Sequence, residues 1–144
     1  MADSFNCKIH LKENLMEKFK ALVISPSGSP TVTMIESPQQ LREIIGGWLE
    51  FIHFGEGAGC YIHEEAKVPP NIPVINGLAT YLCNVVGCPL RKNDYIAGTM
   101  VIFGTLDKNG GYDEDEHDIP ESVLRKIREA IKLRYGMGGI DESS

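Results

Sequence analysis

The sequence lacks any long apolar segment, since no run approaches the roughly 18 consecutive apolar residues that a transmembrane helix needs. The N-terminus from Met1 to Cys7 also lacks the basic start and apolar stretch of a secretory signal. The four cysteines in 144 residues are not needed for stability, because a chain of this length buries roughly two-thirds of its unfolded surface. We therefore expect no membrane association and a cytoplasmic protein with reduced thiols.

Basic residues are the second shortage. The chain has 14 Lys and Arg against 20 Asp and Glu, which gives a formal net charge of -6. A negative domain is repelled by phosphate backbones, so this charge excludes generic DNA or RNA binding. It does not exclude a small anion bound at a locally basic spot.

The patterning predicts one α+β domain over 19–135, preceded by an N-terminal extension (1–18) and followed by a flexible tail (136–144). We expect a mostly antiparallel, twisted sheet of about five strands with two short helices and a C-terminal amphipathic helix. The strands are predicted at 19–25, 31–35, 48–54, 59–63 and 94–104. The last of these is almost continuously apolar, which indicates a central strand buried on both faces.

Helix signals are clear at three places. Ser37 is a predicted N-cap, with Pro38 at the first helical position, Gln40 completing a capping box and Gly46 ending the helix. A second helix is predicted to start near Asn76 and to end before Gly87. The third covers 120–135, with an apolar face formed by Val123, Leu124, Ile127, Ala130, Ile131 and Leu133.

The glycine-rich segment Gly55-Glu56-Gly57-Ala58-Gly59 joins two predicted strands. A phosphate-binding loop would lead from a strand into a helix N-terminus. The segment is therefore interpreted as a hairpin turn.

Zinc is a possible reading of Cys60, His63, Cys83 and Cys88, which offer four soft ligands. Residues three apart in a strand point to opposite faces, and Cys83 and Cys88 straddle a helix end, so neither pair forms a zinc knuckle. We favour reduced cysteines and predict no metal and no cofactor, while a structural zinc and a reactive thiol stay open. His53, His63 and His117 belong to no recognisable catalytic signature, so we predict that the protein is not an enzyme.

The acidic segment 107–118 superficially resembles a calcium loop, but its sixth position is Tyr112 instead of the required glycine. Three interpretations stay open. The segment is a solvated turn whose acids favour the N-terminal end of the next helix, a site of weak cation attraction, or an acidic patch for a basic protein partner.

Candidate ligand-binding residues lie in two loops and in the second helix. An Arg fork with a nearby Asn suits a phosphate or a base edge, and an aromatic ring supplies a stacking surface. The predicted set is Arg91, Lys92, Asn93, Asn71, Lys67 and Tyr81. Adjacent basic residues beside a turn also serve plain solubility, and that alternative stays open.

Three segments follow the first hairpin and helix in a recognisable order: Ile44 to Glu50, His63 to Asn71 and Asp94 to Ile102. They contain Gly-Gly-aromatic-x-Glu, Glu-Glu followed by Pro-Asn, and Ile-x-Gly-Thr. Over roughly Lys20 to Asp118 the chain thereby resembles the family catalogued as domain of unknown function 3846, which occurs in phages and mobile genetic elements. The family has no established catalytic residues, so the resemblance implies a context, the cytoplasm of a bacterial host, and no residue roles.

In that context three functions compete. The first is an anti-defence sponge, a homo-oligomer that sequesters a small anionic ligand such as a cyclic nucleotide immune signal without cleaving it. The second is an acidic, protein-binding inhibitor of a host enzyme, and the third is an enzyme that degrades a nucleotide signal. We favour the sponge, mainly because of this context and also because the predicted ligand residues supply the basic and aromatic groups that it needs. The acids concentrate in 113–118 while 125–134 is basic, which disfavours a whole-protein DNA mimic.

Overall fold

Two hairpins and a central strand build the sheet of this structure, a computed structural model that describes residues 17–136 and 139–142. The described residues form six antiparallel strands in one sheet, in the order β2-β1-β5-β4-β3, with β6 paired to β5. The strands are β1 (Phe19–Ile24), β2 (Thr31–Ile35), β3 (Leu49–Gly55), β4 (Ala58–His63), β5 (Met100–Leu106) and β6 (Tyr112–His117). The α+β class and the antiparallel sheet are confirmed, and the Gly55 to Gly59 segment is a hairpin turn, as predicted.

The three helices are α1 (Pro38–Ile45), α2 (Gly77–Val85) and α3 (Glu121–Tyr135). The cap of α1 is as predicted, because Gln40 N–H donates to Ser37 Oγ at 3.1 Å. The side chain of Gln40 also reaches back, but its Oε1 accepts from Glu36 N–H, one residue before the cap. Gly46 ends α1 in the left-handed region at φ 91°.

Successive side chains of a strand alternate between faces, and the two faces carry separate cores. α2 and α3 cover one face, where they pack on Leu22, Cys60 and Ile102. α1 covers part of the other face, where it packs on Ala21 and Phe103. β5 contributes to both cores, which explains its nearly unbroken apolar sequence.

Two boundaries differ from the prediction. β5 begins at Met100 instead of Asp94, because Gly98 at φ 77° interrupts the extended chain and only Ala97 forms a β-bridge, to Ile75. The segment interpreted as a solvated turn contains β6, whose backbone pairs with β5 while its acidic side chains lie mostly at the surface. Strand pairing, not side-chain burial, holds β6, so hydrophobic patterning does not reveal it.

Two differences concern the C-terminus. Leu133 was predicted on the apolar face of α3 but is 85% exposed, because at 3.6 residues per turn it lies about 120° from the centre of the buried stripe. A flexible tail was predicted over 136–144, yet Gly136 caps α3 and Asp141 forms a β-bridge with Thr31 of β2, with Val32 N–H donating to Asp141 O at 2.8 Å. Residues 137, 138, 143 and 144 of that tail, and 1–16 of the N-terminal extension, lie outside the described residues. No helix within the described ranges is long and apolar enough to cross a membrane.

Candidate functional site

One end of the sheet carries most of the long connections. β1 and β4 finish there, and β2, β3 and β5 begin there, as their registers require. We call this the loop end; its connections are 25–30, 46–48 and 64–99, and the last of these includes α2. Loops held by a rigid sheet are the usual place for binding residues.

Two of the sequence motifs meet directly at the loop end. The Gly46-Gly47-Trp48 turn lies against His63, the last residue of β4, and Glu64 N–H donates to Trp48 O at 2.9 Å. A Cβ on Gly47 would lie only 2.5 Å from His63 Nε2. His63 Nδ1 accepts from Glu65 N–H at 2.9 Å, which fixes the imidazole in this position. His63 therefore joins two turns, an arrangement that the sequence motifs alone do not reveal.

The close contact predicts the effect of Gly47→Ala. The added methyl group displaces the imidazole, so we expect the free energy of unfolding to fall by about 1 to 2 kcal/mol. In a His63→Ala background the same change should cost much less, because the obstructing ring is gone. Urea denaturation of the two single variants and the double variant measures this coupling, and strictly additive costs would contradict it.

The turn from Arg91 to Asp94 is tied to the opposite loop by Lys67. Lys67 Nζ donates to Asp94 Oδ1 at 2.7 Å and lies 4.1 Å from the centroid of the Tyr95 ring. The hydrogen bond from Lys67 is the main cause that lowers the pKa of Asp94, and the nearby guanidinium of Arg91 adds to it. Lys67 is therefore engaged within the chain, while Arg91 and Lys92 are exposed beside it.

Residues 67–75 form a continuous exposed segment with the sequence Lys-Val-Pro-Pro-Asn-Ile-Pro-Val-Ile, which we call the apolar loop. Its large apolar side chains are strongly exposed: Val68 48%, Ile72 85%, Val74 57% and Ile75 63%. The proline content predicted a loop here, but exposure of so many apolar side chains was not predicted.

The apolar loop is held at several points. Asn71 Nδ2 donates to Glu65 O at 2.9 Å, and Gly98 N–H donates to Val74 O at 2.8 Å. Ile75 forms a β-bridge with Ala97. These anchors hold the backbone in place while the apolar side chains point away from the core.

Asn76 fixes the end of this loop from inside and was predicted only as a helix start. Its side chain is 1% exposed, and its Nδ2 donates to Ile24 O and to Gly98 O, both at 2.8 Å. Its Oδ1 accepts from Ala79 N–H at 3.0 Å and caps α2. One buried amide thus ties β1, the Ile-x-Gly-Thr segment and α2 together.

The family described as "Domain of unknown function (DUF3846)" matches residues 18–131 of the 144-residue chain. This chain belongs to the DUF3846 family. No curated protein and no solved structure matches it. The short motifs behind the resemblance are thus the ones that meet at the loop end of this DUF3846 domain.

The predicted ligand residues of the DUF3846 domain separate into two groups. One exposed turn holds Arg91, Lys92 and Asn93, and Asn93 adopts φ 67° there. Lys67 links this turn to the apolar loop, which contains Asn71. Tyr81 instead contacts α3, because its hydroxyl donates to Ala130 O at 3.2 Å and Arg134 lies 4.7 Å from its ring centroid. Its ring is thus already partly covered by the chain itself.

Among the four zinc candidates the thiols of Cys60 and Cys83 contact each other, but the described part of this DUF3846 domain holds no group of three possible metal ligands. Cys60 and Cys83 are buried free thiols between β4 and α2, and burial raises the pKa of Cys60. Cys88 is exposed, and His63 lies at the Gly47 turn. The four groups considered for zinc therefore do not converge.

The acidic strand β6 makes internal contacts instead of a calcium loop. His117 Nε2 and Asp113 Oδ2 are 2.8 Å apart, and this hydrogen bond lowers the pKa of Asp113. Tyr61 Oη donates to Glu116 Oε1 at 3.5 Å, while burial raises the pKa of Tyr61 and the nearby Glu116 carboxylate raises it further. β6 is thus part of the sheet and lies away from the loop end.

Proposed function

We propose that this DUF3846 domain is a non-catalytic binding protein that captures a partner protein with its apolar loop. The observation that carries the proposal is the exposure of Ile72, at 85%, among the other exposed side chains of that loop. Soluble monomers rarely expose contiguous apolar patches larger than roughly a few hundred Å², and such large patches mark interaction sites. The proposal corresponds to the protein-binding alternative from the sequence, with an apolar contact surface in place of an acidic one.

Preorganisation supports this function. The hydrogen bonds of Asn71 and Val74 and the bridge at Ile75 hold the loop before any partner arrives. A preordered loop loses little conformational entropy on binding, so more of the contact energy contributes to affinity. An apolar groove with an acidic flank fits this surface, because Arg91 and Lys92 lie exposed next to the Asp94 anchor.

The phage and mobile-element context implied by the family resemblance extends the proposal. In that context the partner is a protein of the bacterial host, and its capture in the host cytoplasm serves an anti-defence role. Inhibition by occupation of a groove requires no catalytic group in the captor.

A second candidate is the sequestration of a small anionic nucleotide. It is favoured by Arg91 and Lys92, which are exposed and form no ion pair with another described residue. Two neighbouring cations of this kind suit a phosphate group. The two candidates depend on different side chains, so variants separate them.

The matched pair Ile72→Asp and Leu133→Asp tests protein capture. Both side chains are 85% exposed, so neither change should alter stability appreciably. We expect wild type and Leu133→Asp to retain the same protein from a bacterial lysate, and Ile72→Asp to bind it about 30-fold more weakly, as at an interface hot spot. Biolayer interferometry with the recovered partner measures the difference. Equal affinity of the two variants would exclude the apolar loop as the contact surface.

The nucleotide candidate is tested with a panel of cyclic nucleotides in a thermal-shift assay. If it is correct, a nucleotide raises the melting temperature of wild type and of Ile72→Asp but not of Arg91→Glu. Ligand recovered after heat denaturation should be intact, whereas altered ligand would indicate an enzyme. The absence of any shift would remove this candidate and leave protein capture untouched.

A further inference from the structure

β3 forms an open edge of the sheet. It is the terminal strand of the order β2-β1-β5-β4-β3, and β4 is its only strand partner among the described residues. The opposite edge is different, because Asp141 forms a β-bridge with Thr31 of β2 and exchanges backbone hydrogen bonds with Val32 and Pro30, both at 2.8 Å. The described residues thus cover part of one edge and add no second strand to the other.

Three large apolar side chains are exposed around the open edge, next to Glu50 and His53 of β3. Trp48 at its start is 60% exposed, Phe51 is 37% exposed, and Val85 at the end of α2 is 54% exposed. α2 ends beside this edge, since a Cβ on Gly87 would lie 2.8 Å from the Phe54 ring. The open backbone is therefore flanked by apolar surface on both faces of the sheet.

Free edges of natural sheets are normally protected by lysine, proline, bulges or a covering segment. β3 contains neither lysine nor proline, its one charged residue is Glu50, and its one irregularity lies at its end, between His53 and Gly55. The stretch from Leu49 to His53 is regular and able to pair with another strand. This makes β3 suited to pairing and poorly protected as a free edge.

We propose that β3 pairs in antiparallel with β3 of a second copy, about a two-fold axis at Ile52, to form a closed dimer with one continuous sheet. Directly opposed residues in an antiparallel pair have side chains on the same face of the sheet. In a two-fold pair of identical strands, one residue must therefore oppose its own copy, and the axis lies midway between these two copies. With the axis at Ile52, the two Ile52 side chains meet and each Phe51 opposes His53 of the other copy. With the axis at His53, two polar imidazoles would oppose each other in place of the two apolar Ile52 side chains.

A second copy is the occupant that this edge favours. Pairing of an edge with itself is isologous and closes after two subunits, whereas pairing of β3 with β2 would continue into a filament. The backbone of Asp141 already bonds to Val32 of β2, so this part of the β2 edge is not open to β3 of another copy, and pairing of β3 with β2 is disfavoured. Antiparallel pairing also directs the two loop ends in opposite directions, so the dimer presents two apolar loops to separate partners.

The experiment measures mass and cross-linking in the full-length chain. Light scattering should give about twice the chain mass of 15.9 kDa for wild type and for the Leu133→Lys control. Phe51→Lys should give the chain mass, because it places a charge on each side of the axis. Circular dichroism verifies that the variants are folded. A monomeric wild type, or a dimer unaffected by Phe51→Lys, would overturn the proposal.

Cysteine pairs test the register independently of any loss of folding. In a Cys7→Ser/Cys60→Ala/Cys88→Ser background, which also removes the thiol that faces position 52 within the same chain, Ile52→Cys places two thiols of the two copies opposite each other within the Cα separation of a disulfide. Mild oxidation should therefore convert most of this variant to a covalent dimer on a non-reducing gel. Glu50→Cys is the matched control, because its opposing residue is Phe54 of the other copy. No cross-link at Ile52→Cys, or equal cross-linking of both variants, would contradict the axis at Ile52.

Discussion

Gly104→Ala is expected to destabilise the domain by about 3 kcal/mol or more, the upper range for overpacking of a filled core. The reason is a backbone contact: a Cβ on Gly104 would lie 2.1 Å from Asp118 O and 3.2 Å from His117 O. The chain leaves β6 there and crosses β5, and Ile119 N–H then donates to Lys20 O at 2.9 Å. A flexible side chain can rotate away, but this crossing backbone cannot move without breaking its hydrogen bonds.

Gly77→Ala is the matched control for Gly104→Ala. Gly77 is the first residue of α2, and no atom lies within 4 Å of the position that its Cβ would occupy. Alanine in a helix is favoured over glycine, so this variant should be as stable as wild type or slightly more stable. Guanidinium denaturation of both variants gives the comparison. A Gly104→Ala protein that unfolds at the wild-type midpoint would show that the β6 crossing adjusts freely.

Asn76→Ala is expected to lower the free energy of unfolding by about 3 kcal/mol. The variant removes the Asn76 donor from the buried carbonyl of Ile24 and from the partly buried carbonyl of Gly98, and it removes the N-cap of α2. Unsatisfied buried polar groups cost about 1 to 3 kcal/mol each, and a lost cap costs about 1 kcal/mol. The same loss should release the Gly98 segment that anchors Val74, so partner capture should weaken even in the fraction that folds.

Asn84→Ala serves as the control for Asn76→Ala on the same helix. Asn84 Oδ1 accepts from Leu90 N–H at 2.8 Å in an exposed position, where water replaces the lost partner. We expect its cost to stay below about 1 kcal/mol, with unchanged partner affinity. Chemical denaturation and binding measurements on the two variants separate the roles of the two amides. Equal costs at both positions would contradict the importance of the Asn76 network.

Local signals in the sequence were sufficient for most elements. Both ends of α1 are predicted correctly from Ser37, Pro38 and Gly46, because helix capping depends on residues that are close together in the chain. The Gly55 turn and the apolar face of α3 around Val123 and Ile127 were predicted for similar reasons. β6 was not, since charged residues carry no burial pattern and only the pairing partner β5 makes them a strand.

The candidate site was predictable only in part. A turn at Arg91 to Asn93 and a proline-rich loop at Lys67 follow from composition. The ion pair that joins them does not, because Lys67 and Asp94 are 27 positions apart in the sequence. The residues around Tyr81 in the sequence do not indicate that its hydroxyl bonds to α3. That contact depends on how α2 and α3 pack against each other.

The sequence alone determined the α+β class, the capped helices and the net charge of -6. These properties depend on composition and on neighbours along the chain. Only the tertiary structure decided that Ile72 stays in water, that His63 occupies the space at Gly47 and that β3 has a single strand partner among the described residues. Exposure and strand order arise from contacts between distant segments, and an apolar residue has the same local pattern whether the fold covers it or leaves it exposed.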